Sequence, residues 1–195
     1  DYKIEAEVGI LIIRRFDSET GKLARQAVSD LLNKGVKGLV IDLRDNGGGY
    51  LSDARAVADI WLDKNKVVIK ESSKGEITKT LYSVDNKLVG DNIKTAILIN
   101  GRSASASEIL TGVLSHYKKA TVIGEKSYGK GTVQKVFKME NGGQLNVTIA
   151  RWNLPDGKNI DGKGIEPDKT VVISSEDIDS GRDPQLKAAF DYLKR

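Results

Sequence analysis

Residues 37–62 read KGLVIDLRDNGGGYLSDARAVADIWL, and this stretch decides the fold. The run Lys37–Leu43 is almost continuously apolar, which is typical of a strand covered on both faces of a parallel sheet. Apolar residues then recur at helical spacing from Leu51 to Leu62. The turn between them, Arg44–Gly49, ends in three consecutive glycines. A buried strand followed by a tight turn and an amphipathic helix predicts an α/β protein.

The same succession recurs along the chain. Apolar runs predict further buried strands, and helical spacing predicts helices up to Gly35, from about Ser103 to His116, and from Pro184 to Lys194. Strands that alternate with helices predict ββα and βαβ units around a mainly parallel sheet. Shorter strands, with a hairpin turn at 140–143, predict a small β-rich part. The predicted strands outside residues 37–43 are 8–14, 67–69, 77–81, 95–100, 120–123, 132–139 and 145–152.

Length and composition limit the classes of function. A chain of 195 residues fits a single domain, residues 1–195, in which 174–195 is a C-terminal extension with a helix. The net charge of +4 is dispersed and only 6% of residues are aromatic, which argues against a nucleic-acid partner. Zero cysteines and one histidine exclude thiolate and multi-histidine metal sites. No apolar run approaches the ~18 residues of a membrane-spanning helix.

The start of the chain carries its own pattern. It has no initiator methionine, and Asp1–Glu5 lacks the basic and apolar parts of a signal peptide. This pattern is typical of a processed or excised piece of a longer protein.

The glycine turn Asn46–Gly49 is the first candidate for chemistry. Glycines between a strand and a helix permit positive φ and leave backbone N–H groups free to bind an anion or a developing oxyanion. The plain alternative is a tight turn without a ligand. Nucleotide binding is disfavoured, because the turn matches neither GxGxxG nor a P-loop with its lysine.

Three alternating serines follow the predicted strand Thr95–Asn100. A serine at the first turn of a helix lies near free N–H groups, as in a nucleophile elbow, where the next residue's N–H helps to hold the oxyanion. Serine at this position is also a common helix cap, with Glu108 completing a capping box. The residues alone do not decide which of Ser103, Ser105 and Ser107 is the nucleophile.

Lys130 stands between Gly129 and Gly131 at the entrance of a predicted strand. If the strand extends backward, Lys130, Thr132 and Gln134 share one face, because side chains alternate with period two. Gln134 would then hold the Lys130 amine, and a lysine withdrawn from water accepts a proton from serine. The alternative is an ordinary surface lysine.

Together these segments resemble the C-terminal-processing peptidases, also called tail-specific proteases. Lys130 follows Ser105 by 25 positions (130 − 105), a spacing that fits the family pattern, and the resemblance extends from Val8 to about Val172. Proline and phenylalanine, common in the family, are replaced here by Gly47 and Tyr128. The motifs that carry the resemblance are IDLRDNGGG at 41–49, SASASEI at 103–109, YGKGTVQ at 128–134 and GKGIEPD at 162–168.

The resemblance implies a serine endopeptidase that cleaves proteins or peptides near their C-termini through an acyl-enzyme. It makes Ser105 the nucleophile, Lys130 the general base and Gln134 the partner that orients Lys130. It implies no metal or organic cofactor. The backbone N–H groups expected to form the oxyanion hole are those of Ala106, Gly48 and Gly49.

The resemblance also implies a fold similar to the crotonase and Clp protease core. It implies an extracytoplasmic location, in the periplasm or at the outer side of a membrane, and it is compatible with a homo-oligomer. The PDZ domain usual in the family has no counterpart among these residues. Two alternatives stay open: an inactive binding or scaffolding module, and an acyl-CoA enzyme on the same fold.

Three further titratable residues lie near the predicted site. His116 is expected at the end of the serine helix, about 16 Å from Ser105 at 1.5 Å per residue, and so on the surface rather than in catalysis. Glu108 and Glu125 are expected to be capping or solvated groups that at most tune the site.

Overall fold

The structure is a computed structural model that describes residues 1–139 and 142–194. The strands are β1 Tyr2–Glu5, β2 Val8–Ile12, β3 Gly38–Asp42, β4 Val67–Ser73, β5 Glu76–Tyr82, β6 Lys94–Ile99, β7 Thr121–Gly124, β8 Thr132–Lys138, β9 Gln144–Asn153 and β10 Lys169–Thr170. The helices are α1 Thr20–Asn33, α2 Leu51–Ala58, α3 Ala106–His116, α4 Ser175–Asp179 and α5 Pro184–Leu193.

The larger sheet has six strands in the order β1-β2-β3-β6-β7-β10. Neighbouring strands from β2 to β10 run parallel, and only β1 is antiparallel to its neighbour. The prediction of an α/β fold around a mainly parallel sheet is therefore confirmed. Because β3, β6 and β7 are parallel neighbours, the turns that follow them emerge at the same edge of the sheet.

Both faces of this sheet are covered, which explains why its strands are continuously apolar. Along β3, Leu39 and Ile41 face the core formed with α1, α2 and α3, whereas Val40 between them faces the opposite side. On that opposite side Ala188 and Ala189 of α5 pack on the sheet. The C-terminal segment therefore supplies one of the two layers of the core.

The second sheet has four strands in the order β5-β4-β9-β8, all paired antiparallel. It is the small β-rich part expected from the sequence, and the predicted strands 67–69 and 77–81 lie in β4 and β5, which pair with each other. In the predicted hairpin turn at 140–143, Glu140 and Asn141 lie outside the described residues.

Several local predictions differ from the structure. The helix predicted to reach Leu62 ends at Ala58, and Ile60, Trp61 and Leu62 continue as buried turns. Strands β1 and β10 and helix α4 were not predicted. They are short and largely exposed, so they lack the apolar periodicity on which the predictions depended. Among residues 1–139 and 142–194, no helix has both the length and the apolar composition needed to cross a membrane.

Gly49 fixes the glycine turn against the end of β2. Its φ is 143°, and a Cβ atom there would collide with the carbonyl oxygen of Phe16. The Phe16 N–H donates to Gly48 O at 3.0 Å, and the Tyr50 N–H donates to Phe16 O at 2.8 Å. These bonds clamp the turn where only glycine fits.

We expect Gly49→Ala to lower the free energy of unfolding by about 3 kcal/mol or more, since strained φ costs about 1–2 kcal/mol and overpacking about 1–3 kcal/mol. Gly157 is the matched control, with φ 85° and no atom within 4 Å of a Cβ placed there. Gly157→Ala should cost only about 1–2 kcal/mol. Urea denaturation measures both losses, and equal losses would contradict a steric role for Phe16.

Candidate active site

The three turns singled out from the sequence meet at the carboxyl edge of the main sheet. The glycine turn follows β3, the serine turn follows β6, and the lysine loop, residues 124–131, follows β7. The Ala104 N–H donates to Asn46 O at 3.0 Å, which joins the serine turn to the glycine turn. The Tyr128 N–H donates to Ser103 O at 3.0 Å, which joins the serine turn to the lysine loop.

Side-chain hydrogen bonds around Asp45 reinforce the link between the glycine turn and the serine turn. Asp45 accepts hydrogen bonds from Asn100 Nδ2 at 2.8 Å and from Arg102 Nε at 2.7 Å. The Asn100 hydrogen bond first, and then the Arg102 guanidinium, hold the pKa of Asp45 below its ordinary value. A lowered carboxyl pKa stabilises the folded state at neutral pH, and this stabilisation is lost as the pH falls through the folded-state pKa.

The structure distinguishes the three serines. Ser103 is fully buried, and its Oγ donates to Leu43 O at 2.8 Å. Ser107 is fully buried too, and its Oγ donates to Asn46 O at 2.8 Å. Ser105 is only half-buried, and its side chain faces the Glu108 N–H of its own capping box rather than a neighbouring turn. The outer two serines hold the turns together, and the middle hydroxyl is the one left accessible.

Ser105 has a strained backbone at the start of α3. Its φ is 56° and its ψ −115°, outside the regions that a residue with a side chain normally occupies. Such a conformation costs about 1–3 kcal/mol and persists only when its surroundings enforce it. The Ser105 N–H donates to Glu108 Oε2 at 2.8 Å, which fixes the turn. This is the geometry of a nucleophile elbow.

The glycine turn packs directly against this serine. A Cβ atom on Gly48 would lie 2.8 Å from Ser105 Cβ and 3.1 Å from the Ala106 nitrogen. Of the three N–H groups predicted for the oxyanion hole, that of Gly48 donates to Asn46 Oδ1 at 2.9 Å. Those of Ala106 and Gly49 have no acceptor within the described part of the chain. The two N–H groups without an acceptor, those of Ala106 and Gly49, therefore lie next to the contact between the glycine turn and the serine turn.

Glu108 connects the serine turn to the lysine loop. Its side chain is fully buried. Besides Ser105, its carboxylate accepts hydrogen bonds from Ser127 Oγ at 2.6 Å, from the Gly129 N–H at 2.6 Å and from the Lys130 N–H at 2.9 Å. Sequence reasoning treated Glu108 as a cap or a tuning group and missed this role. Its position three residues after a candidate N-cap serine was the available signal.

Lys130 is half-buried and lies in the loop that Glu108 holds. Gly129 and Gly131 on either side pack against the backbone of residues 160–164, where a Cβ atom would clash. No hydrogen bond joins Lys130 Nζ to Ser105 Oγ among the residues that the structure describes. The predicted bond from Gln134 is not formed in this structure either, and Gln134 is exposed.

Two other titratable residues lie apart from this arrangement. His116 is at the last position of α3, and its ring packs edge-on against Tyr117 with centroids 4.7 Å apart. Glu125 accepts a hydrogen bond from Gln185 Nε2 of α5 at 3.2 Å. Neither side chain takes part in the hydrogen bonds that join the three turns.

Residues 7–171 match the sequence profile described as Peptidase family S41. The chain belongs to peptidase family S41. This match confirms the resemblance to C-terminal-processing peptidases inferred from the sequence. Most of the S41 chain is covered, including all three turns of the site.

Known proteins agree with this assignment. The S41 chain is 41% identical over 172 residues to a "Probable CtpA-like serine protease" of Staphylococcus aureus strain N315, covering 88% of this chain and 34% of that protein. It therefore spans about a third of the length of the curated relatives it matches. A similar protein from Staphylococcus haemolyticus is 39% identical over 173 residues, covering 88% of this chain and 35% of that one.

Solved structures show the same fold. The photosystem II D1 C-terminal processing protease superposes with a TM-score of 0.78 at 32% identity, covering 85% of this chain and 42% of that one. A putative peptidase from Parabacteroides merdae superposes with a TM-score of 0.82 at 25% identity, covering 98% and 63%.

The strained φ of Ser105 predicts that glycine is more stable than alanine at this position, whereas the order is reversed at Ser107. We expect Ser105→Gly to be more stable than Ser105→Ala by about 1–2 kcal/mol, because glycine relieves the positive φ. At Ser107, inside α3, the glycine variant should be less stable than the alanine variant by about 1 kcal/mol. Urea unfolding of the four variants tests this, and the same order at both positions would contradict it.

Replacing Glu108 tests the joint between the loops. In Glu108→Gln the amide NH₂ faces buried donors in place of one oxygen, so we expect a loss of about 2–4 kcal/mol in the free energy of unfolding. The control is Glu125→Gln, whose single hydrogen bond with Gln185 a glutamine can retain, so that about 1 kcal/mol or less is lost. Similar losses for both variants would show that Glu108 does not hold the loops.

Proposed function

We propose that this chain is the catalytic core of a serine endopeptidase with a Ser105–Lys130 dyad. The observation that carries the proposal is the state of Ser105: it is strained, accessible and packed against a turn with free backbone N–H groups. Family membership supports the same reaction, since the matched relatives are named serine proteases.

In the proposed first step, Ser105 Oγ attacks the scissile carbonyl carbon while Lys130 Nζ accepts the hydroxyl proton. The carbonyl oxygen becomes an oxyanion, which the N–H groups of Ala106 and Gly49 stabilise. The C–N bond then breaks, and Lys130 gives its proton to the leaving amine. Water hydrolyses the acyl-enzyme with Lys130 again as the base.

Gly48 was expected to donate its N–H to the oxyanion, but in this proposal it contributes by having no side chain. Its N–H is already bonded to Asn46, so its contribution is the absence of a side chain between the glycine turn and Ser105. A methyl group there would push the two turns apart and move the oxyanion donors out of register with the nucleophile.

Lys130 Nζ must move toward Ser105 Oγ for the dyad to form. Catalytic hydrogen bonds are often long or unformed without substrate and tighten in the complex. Glu108 fixes the backbone of the loop that carries Lys130, so the proposed movement is a rotation of the Lys130 side chain toward Ser105 Oγ when substrate binds. We further propose that Gln134 steadies Nζ in that state, as the resemblance implies.

The proposed substrates are polypeptides, cut near their C-termini, in an extracytoplasmic space. The processing of C-termini is supported by the structural likeness to a protease named for that activity. We assign residues 1–195 to one catalytic unit, because α5 of the segment 174–195 closes one face of the main sheet.

Cleavage of casein tests the dyad. We expect the unsubstituted chain to cleave it, and Ser105→Ala and Lys130→Ala to lose at least about a thousand-fold in kcat/KM, as expected when one member of a catalytic unit is removed. Lys126→Ala is the matched control, since Lys126 lies in the same loop but is exposed and paired with Glu166 at 2.6 Å.

A fluorophosphonate probe separates a missing substrate from missing chemistry. Labelling that Ser105→Ala abolishes, and that Lys126→Ala retains, supports an activated Ser105. Casein cleavage that persists in Ser105→Ala, or in Lys130→Ala at the parent rate, would overturn the dyad. An absence of both cleavage and labelling in the parent chain would favour an inactive binding module.

A further inference from the structure

A cavity of about 280 Å³ lies beside the glycine turn, on the side where β2 ends. It is lined by Arg14, Arg15 and the three glycines 47–49. None of these residues has a role in the reaction steps proposed for the dyad except through the backbone of the glycines. The cavity therefore needs an explanation of its own.

Backbone hydrogen bonds of the flanking residues hold the segment that carries the two arginines. This segment follows β2 and lies between Ile13, whose N–H donates to Asp42 O, and Phe16, which is fully buried and bonded to Gly48 O and to the Tyr50 N–H. Because Gly49 admits no side chain against Phe16, the chain bearing the arginines cannot move away from the turn without breaking this clamp. The position of the arginines relative to the turn is thus a fixed feature of the fold.

The cavity is also adjacent to the nucleophile. Gly48, one of its lining residues, is the residue that packs against Ser105 and Ala106. The glycine turn therefore lies between the cavity of the arginines and Ser105.

The positive charge in the cavity is largely uncompensated within the described part of the chain. Arg15 makes no side-chain hydrogen bond or ion pair there, and Arg14 makes one contact, from Nε to the exposed carboxylate of Asp1 at 3.4 Å. The nearby carboxylate of Asp17 is engaged at the start of α1, where it accepts from the Glu19 N–H and from Thr20 Oγ1. Two guanidinium groups at one cavity form a site suited to a carboxylate.

We propose that Arg14 and Arg15 bind a carboxylate of the substrate next to the scissile bond, which gives the enzyme a preference for acidic groups at that position. The inference rests on the proposed function, because it places the substrate at Ser105. Two sources supply this chemistry: the α-carboxylate of a C-terminus, and an Asp or Glu side chain inside the chain. A charge-assisted hydrogen bond to arginine predicts a preference of about ten-fold at low salt, which decreases as salt screens the exposed charges.

Four peptides that differ only in one carboxylate test the site. A fluorescent peptide with a cleavable segment is made with a free C-terminal carboxylate or a carboxamide, and, as a separate pair, with Asp or Asn at an internal position. We expect kcat/KM to be about ten-fold higher for the acidic member of one pair. The pair that shows the effect identifies the source of the carboxylate. In Arg15→Gln and Arg14→Gln the ratio within that pair should fall toward one.

Lys79→Gln is the matched control, because Lys79 is an exposed cation on β5 of the other sheet and its loss changes the net charge equally. The control should keep the parent ratio. A parent chain that cleaves both members of each pair equally, or a ratio that survives in both arginine variants, would overturn the proposal.

Binding distinguishes failure of this site from failure of the proposed reaction. If no peptide is cleaved, fluorescence anisotropy of the same four peptides with the parent chain measures their Kd directly. A Kd about ten-fold lower for an acidic peptide, lost in Arg15→Gln and kept in Lys79→Gln, supports the site even where the chemistry is wrong. Equal Kd values within both pairs would contradict the proposed carboxylate site.

Discussion

The buried carboxylate of Glu108 is the constraint on which the site depends. Burying a charged group costs several kcal/mol unless hydrogen bonds satisfy it. Here three backbone N–H groups and one hydroxyl meet that need, and they come from the Ser105 turn and from the loop that carries Lys130. Because the carboxylate extends from the first turn of α3, it fixes the start of the helix and the loop at once. The distance between the two halves of the proposed dyad is therefore set by one side chain.

The parallel sheet makes this arrangement possible. Adjacent strands β3, β6 and β7 deliver three turns to one edge, so that short bonds such as Ala104 N–H to Asn46 O can join residues far apart in sequence. The strain at Ser105 needs such support, since a residue with a side chain leaves that conformation unless its neighbours over-determine it. The buried serines on either side supply part of that support, Ser103 through its bond to Leu43 O after β3 and Ser107 through its bond to Asn46 O in the glycine turn.

Sequence reasoning recovered what depends on periodicity and motif. The four central strands of the main sheet followed from apolar runs, and the three turns followed from glycines and serines at strand ends. It did not choose among the serines, because a helix cap and a nucleophile use the same residue at the same place. The structure separates them by burial and by the partners of each hydroxyl. The bond of Glu108 to the Ser105 N–H has a local pattern, but its role as a link to the lysine loop was missed because the other three donors lie in residues 127–130, and a pairing over that separation has none.

The glycine turn borders the serine turn on one side and a cavity on the other, and both neighbours depend on its lack of side chains. On one side Gly48 admits the serine turn to close contact, and on the other the same backbone borders the cavity of Arg14 and Arg15. A substitution in the turn therefore disturbs the proposed reaction and the proposed recognition together. Arg14 and Arg15, in contrast, belong to the segment after β2, and no hydrogen bond links their side chains to the serine or lysine turns within the described residues. Recognition of an acidic group can thus change at Arg14 and Arg15 while the geometry that Glu108 imposes on the nucleophile is retained.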